Sequence, residues 1–141
     1  MTGATNPLVA TVIPILNEQD SIAACLSSIV NQTISNDQHI IVVLDGGSTD
    51  KTIQIIKQFI EENTEGPEII LAKNDGKYVA EARNLAMDLV PNSVKYFLEI
   101  IGHCTVKEDH IVTLLGEMER LESVNEQPIG ALGCKVSSRL G

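Results

Sequence analysis

The stretch Ile40-Ile41-Val42-Val43-Leu44-Asp45-Gly46-Gly47-Ser48-Thr49-Asp50 constrains this chain more than any other. Its apolar, mostly β-branched run has no polar face, which is the mark of a strand buried on both sides. An acid then leaves the strand directly into two glycines and a helix start. Glycine allows positive φ and a close backbone approach, and Asp45 can accept hydrogen bonds from the imide or hydroxyl of a ligand. The same residues can also serve a plain strand–turn–helix link, with Ser48 or Asp50 as the helix cap.

The rest of the chain repeats that alternation. A buried strand is expected over residues 8–13, with Pro14 breaking its ladder. Asn17 is expected to cap a helix with Glu18 and Asp20 in its first turn. Ile22, Cys25, Leu26, Ile29 and Val30 recur at helical spacing there. After the second strand, over 40–44, a helix carries Ile53, Ile56, Phe59 and Ile60 on one face. A short strand over 68–71 follows, then the turn Asn74-Asp75-Gly76, then a helix with Val79, Ala82, Ala86 and Leu89 that stops near Pro91. Residues 96–101 read as a fourth strand ended by Gly102. Residues 107–121 read as a helix with Ile111, Leu114, Leu115 and Met118 inward, and 129–136 as a last strand. Strands alternating with helices predict an α/β fold: a mostly parallel sheet with helices on both faces. Ligands of such sheets sit outside the carboxyl ends of the strands, so the loops starting at Pro14, Asp45, Lys73 and Gly102 are the ones to watch.

Composition narrows the function classes. The 141 residues suit one domain spanning 1–141, and 43% hydrophobic with 21% charged residues suit a globular core. Nineteen acids against 10 basic residues leave a net charge of -9. That argues against nucleic acid and against polybasic docking on anionic lipid. Aromatics are only 3%, with no Trp, so base-stacking platforms are not expected. Cys25, Cys104 and Cys134 are scattered, without a CxxC, which favours buried thiols in a reducing compartment. The apolar stretch 8–16 contains Pro14 and is too short to span a bilayer, so a cytoplasmic protein without a transmembrane segment is expected. His39 and His110 have no partner spacing and are expected at the surface.

Three motifs, in order, carry a resemblance. Val12-Ile13-Pro14-Ile15-Leu16-Asn17-Glu18 is similar to the V-I-P-x-Y-N-E opening of family 2 glycosyltransferases with the Rossmann-like GT-A fold. Val42 to Asp50 is similar to their V-V-D-G-G-S-T-D segment, and Asn74-Asp75-Gly76 with Ala82-Arg83-Asn84 is similar to their N-x-G…A-R-N segment. The match runs over about 8–111. It implies a donor-binding half of an enzyme that transfers a sugar from a nucleotide sugar (UDP, GDP or TDP type) to a glycan or lipid-linked acceptor in cell-surface polysaccharide biosynthesis. Carried over, Pro14, Leu16, Glu18 and Asp45 line the base pocket, and Leu16 replaces the family's usual aromatic or polar residue. Arg83 is implied near the diphosphate, with a solvated surface arginine as the plain alternative. Lys77 is a weaker candidate for the same role.

The family's metal-binding D-x-D falls in Phe97-Leu98-Glu99-Ile100-Ile101-Gly102-His103, which resembles the D-G-H variant of succinoglycan-biosynthesis-type members. Ile101 stands where the first Asp belongs and cannot bind Mn or Mg. Two arrangements stay open: a degenerate site, which is preferred, or a bulge that lets Glu99 substitute beside His103. The family's general base lies in the acceptor-binding half and has no counterpart in this chain, so no catalytic residue is assigned. Glu117 and Glu119 read as a solvated helix face. The alternative function is a non-catalytic GT-A domain acting as an interaction or homo-oligomerisation module. A dinucleotide-dependent oxidoreductase would want G-x-G-x-x-G after the first strand, and a receiver domain an acidic pair there; neither is present.

Overall fold

The computed structural model describes residues 6–76, 78–125 and 130–132. Four strands form one parallel sheet: β1 (Val9–Ile15), β2 (His39–Asp45), β3 (Glu68–Lys73) and β4 (Tyr96–Glu99). Their order is β3-β2-β1-β4. The connecting helices are α1 (Ile22–Val30), α2 (Thr52–Glu62) and α3 (Val79–Leu89), with α4 (His110–Val124) after β4. This is the predicted α/β architecture.

The strand period of two sorts the core into two layers. Ile13, Ile15, Ile41 and Val43 face one side and pack with Ile22, Cys25, Leu26 and Ile29 of α1 and Ile56 of α2. Val12, Val42 and Leu44 face the other side and meet Ala82 and Ala86 of α3. Small residues on α3 let that helix lie close to the sheet. Cys25 is fully buried, and burial pushes its thiol up to about 12, so it stays a packing group at neutral pH. No helix among the described residues is long and apolar enough to cross a membrane.

Several expectations are corrected. Pro14 breaks the ladder on only one side of β1: towards β2 it keeps register with Leu44, and the strand runs on to Ile15. The reason lies in the direction of its neighbours' backbone groups. Ile100 donates to the Val12 carbonyl on the β4 side, and Gly46 donates to the Ile15 carbonyl on the β2 side. Pro14 shares the orientation of Val12, and the β1–β4 ladder ends at Val12↔Glu99. Its missing N–H is the one that would have donated to the Ile100 carbonyl, so Pro14 ends the ladder on the β4 side while the β2 side continues. Asn17 does not cap α1, which begins at Ile22 after Ser21. Val79 starts α3 but is 42% exposed and lies off the buried face. α4 begins at His110, three residues later than expected, and runs to Val124. The expected last strand falls largely on residues outside those described, as do Lys77 and Cys134; Gly130, Ala131 and Leu132 carry no regular structure.

His39 is the clearest correction. It is 3% exposed, not a surface residue, and its Nε2 lies 2.7 Å from the hydroxyl of fully buried Thr11. As the first residue of a central strand it is covered by neighbours on both sides, which a spacing argument cannot see.

Candidate functional site

The carboxyl ends of β1, β2 and β4 bring three loops together. Asp45 ends β2 with 7% exposure. Its Oδ2 accepts from the N–H groups of Gly47 and Ser48 at 3.1 Å, and Ser48 also donates to Oδ1 at 3.1 Å. Gly47 takes φ 107°, which closes the turn under the carboxylate at a backbone angle L residues avoid. The turn reading and the ligand reading of Asp45 are thus both open to one side chain. A carboxylate offers about four lone-pair directions, and Oδ1 takes only one bond from the turn.

The β1 loop is tied to this turn by bonds that short-range patterns do not reveal. Asn17 sits in the left-handed region at φ 52°. Its side-chain oxygen accepts from Thr49 N at 2.8 Å, and its own N–H donates to the Ser48 hydroxyl at 2.9 Å. Glu18 N–H donates to Thr52 Oγ1 at 2.8 Å, and that hydroxyl donates to Asp50 Oδ1. Gln19 Oε1 accepts from Lys51 N at 3.1 Å. Asp50, one residue before the N-cap Lys51, also accepts from the Thr52 N–H, and its hydrogen bonds with Thr52 hold its carboxyl below the usual carboxylate range. Asn74 completes the ring from β3: it is buried, its N–H donates to the Asp45 carbonyl at 2.7 Å, and its amide donates to the Tyr78 carbonyl at 2.9 Å.

Glu18 points toward the β4 loop. Its Oε1 accepts from His103 Nδ1 at 3.1 Å, and its Oε2 takes the Ser21 hydroxyl at 3.2 Å. Gly102 makes this approach feasible. A Cβ there would stand 2.9 Å from Ile15 Cγ2 and 3.1 Å from Glu18 Cγ. Ile15 is buried and β-branched, so it has little room to yield. Gly102→Ala is expected to cost about 1–2 kcal/mol in urea denaturation and to part His103 from Glu18. Unchanged stability together with an unchanged His103 imidazole NMR signal would count against that close approach.

Pro14 is half-buried and Leu16 is 50% exposed at the end of β1, beside this cluster. Arg83 and Glu99 do not join it. Arg83 Nε donates to Glu99 Oε2 at 2.5 Å and Nη2 to Oε1 at 3.1 Å, a two-bond pair between α3 and β4. Glu117 is paired with Arg120 on α4. The residues present do not fit a divalent cation held by the protein. Ile101 has no donor atom, Glu99 is engaged by Arg83, and His103 is engaged by Glu18. Among the described residues, no three or more His, Cys, Asp or Glu gather as a ligand set.

Comparison with known proteins gives one answer. The family model for glycosyl transferase family 2 matches residues 11–129. The chain is similar to the glycosyltransferase AglE of Haloferax volcanii, with 30% identity over 102 residues, 72% of this chain and 32% of that protein. It is similar to a PGL/p-HBAD biosynthesis glycosyltransferase of Mycobacterium bovis, with 34% identity over 92 residues, 65% of this chain and 34% of that protein. In fold it resembles S. aureus TarS (residues 1–349) in complex with UDP, with a TM-score of 0.68 and 16% identity over 80% of this chain and 32% of that one. The same protein in complex with UDP-GlcNAc gives a TM-score of 0.65. The chain spans about a third of the length of these relatives.

Proposed function

The chain belongs to glycosyl transferase family 2, and on that premise we propose that it binds the nucleotide-sugar donor at the carboxyl ends of β1, β2 and β4. The observation that carries this is the hydrogen-bonded ring joining the Asn17–Glu18 loop to the Asp45–Asp50 turn. It holds backbone and carboxylate groups of both loops in place, so little ordering remains to be done when a ligand arrives. In this reading Asp45 accepts from the base through the free side of Oδ1. Pro14 and Leu16 supply an apolar wall, Glu18 holds the β1 loop to the β4 loop, and Arg83 faces the diphosphate.

Two further points belong to the proposal. The diphosphate is held without a divalent cation ligated by the protein, because Ile101 replaces a donor. Transfer to a glycan or lipid-linked acceptor requires a general base, a role given to none of the residues named here. Titration calorimetry of the chain with UDP, GDP and TDP sugars, each with manganese and with EDTA, tests the reading. Binding of one of the three, unchanged by EDTA, is the expected result. No binding of any of them overturns donor binding, and binding only with manganese overturns the metal-free part.

A further inference from the structure

Arg83 and Glu99 lie 16 residues apart in sequence and meet across the gap between α3 and β4. Glu99 pairs in register with Val12, on the sheet face covered by α3. Arg83 directly follows Ala82, which is buried against that face. Both side chains are thus placed by the core, although the guanidinium itself is 60% exposed. An exposed ion pair of this kind adds little stability. Its value lies in direction.

A guanidinium has five N–H groups in a fixed fork. Glu99 takes the Nε side, using Nε and one Nη2 hydrogen. The opposite, end-on pair of N–H groups on Nη1 and Nη2 makes no other hydrogen bond among the described residues. The pair thereby favours one orientation of the Arg83 side chain and leaves a bidentate edge free. Cations are scarce in this chain, with 10 basic residues against 19 acids. Lys73, at the end of β3, already has its Nζ 3.7 Å from Asp75.

We propose that Glu99 is a positioning residue for diphosphate recognition: it holds Arg83 side-on so that the free edge of the guanidinium receives a nucleoside diphosphate. The inference rests on the donor-binding reading above. Glu99 then acts through Arg83 and not as a metal ligand, and the guanidinium offers oriented N–H donors beside the end of β4.

The test compares each nucleoside diphosphate of the UDP, GDP and TDP panel with its parent nucleoside, by calorimetry in EDTA. Arg83→Ala is expected to weaken the diphosphate about tenfold or more and to reduce its advantage over the nucleoside. Glu99→Gln is expected to weaken the diphosphate about three- to tenfold, with the loss falling on the diphosphate and not on the nucleoside. Glu99→Asp should recover part of it, and Arg83→Ala/Glu99→Gln should be no weaker than Arg83→Ala alone. Thermal melts confirm that each variant is folded. Tighter diphosphate binding by Glu99→Gln overturns the proposal, since Glu99 would then compete with the ligand. So does unchanged binding, or a double variant whose losses add. Wild type that binds no diphosphate overturns this proposal together with the donor-binding reading; wild type that binds, beside an indifferent Glu99→Gln, overturns this proposal alone.

Discussion

Asp45→Ala is expected to abolish measurable nucleotide binding and to lower the stability of the chain by about 2–3 kcal/mol. The stability loss follows from the turn. Removing the carboxylate strands the Gly47 and Ser48 N–H groups, which now donate to it at 3.1 Å. Hydrogen bonds to a charged acceptor contribute about 1.5–3 kcal/mol. The turn backbone around Gly47, at φ 107°, loses the group it folds around. The binding loss adds the base contact to that collapse, about a hundredfold or more in Kd. Asp45→Asn separates the two roles. It keeps an acceptor for the turn, so urea denaturation should find it near wild type, while calorimetry with the preferred nucleotide still finds a large loss. An Asn variant that binds like wild type would leave Asp45 with the turn alone.

The second large effect is on acid stability and centres on His39. Burial pulls its imidazole down from an ordinary 6.5 to about 4. Above pH 6.5 the ring is neutral in the folded and unfolded chains, and the fold carries no penalty. As pH falls below 6.5 the unfolded chain takes up a proton that the folded chain refuses, so stability drops. The drop ends once pH passes about 4, where the folded ring protonates too. A depression of that size corresponds to about 3 kcal/mol at most. The comparison variant is Thr11→Val/His39→Leu, because replacing both partners of the 2.7 Å contact leaves no buried polar group unsatisfied. Urea midpoints between pH 7 and pH 4 should fall more steeply for wild type than for the double variant. Parallel curves would show that His39 does not titrate abnormally.

Much of the fold was legible because it rests on local signals. The apolar runs, the glycines after Asp45 and the helical spacing of Ile22, Cys25, Leu26 and Ile29 locate strands, turns and helices without reference to distant parts of the chain. Asp45 was legible as the acid that ends β2 for the same reason. What was not legible depends on which loops meet. Asn17 looks like a helix cap until Thr49, 32 residues away, is placed beside it. The partner of Glu99 is not legible either, since only the packing of α3 lays Arg83 across it. Pro14 looks like a breaker of the whole strand until the β1–β2 ladder is seen to run through it to Ile15. His39 is misjudged on the same ground, since its burial depends on what surrounds the first residue of a central strand.

The bonds between the Asn17–Gln19 loop and the Ser48–Thr52 segment have a dynamic consequence. Each loop lends the other its partners: Asn17 holds Thr49, Ser48 and Thr52 hold the β1 loop, and Gln19 holds Lys51. Neither can swing away from the sheet without opening both, so local opening at this edge is cooperative and involves two segments about 30 residues apart in sequence. Thr52, buried and distant in sequence from Glu18, is therefore expected to help set the opening rate of both segments.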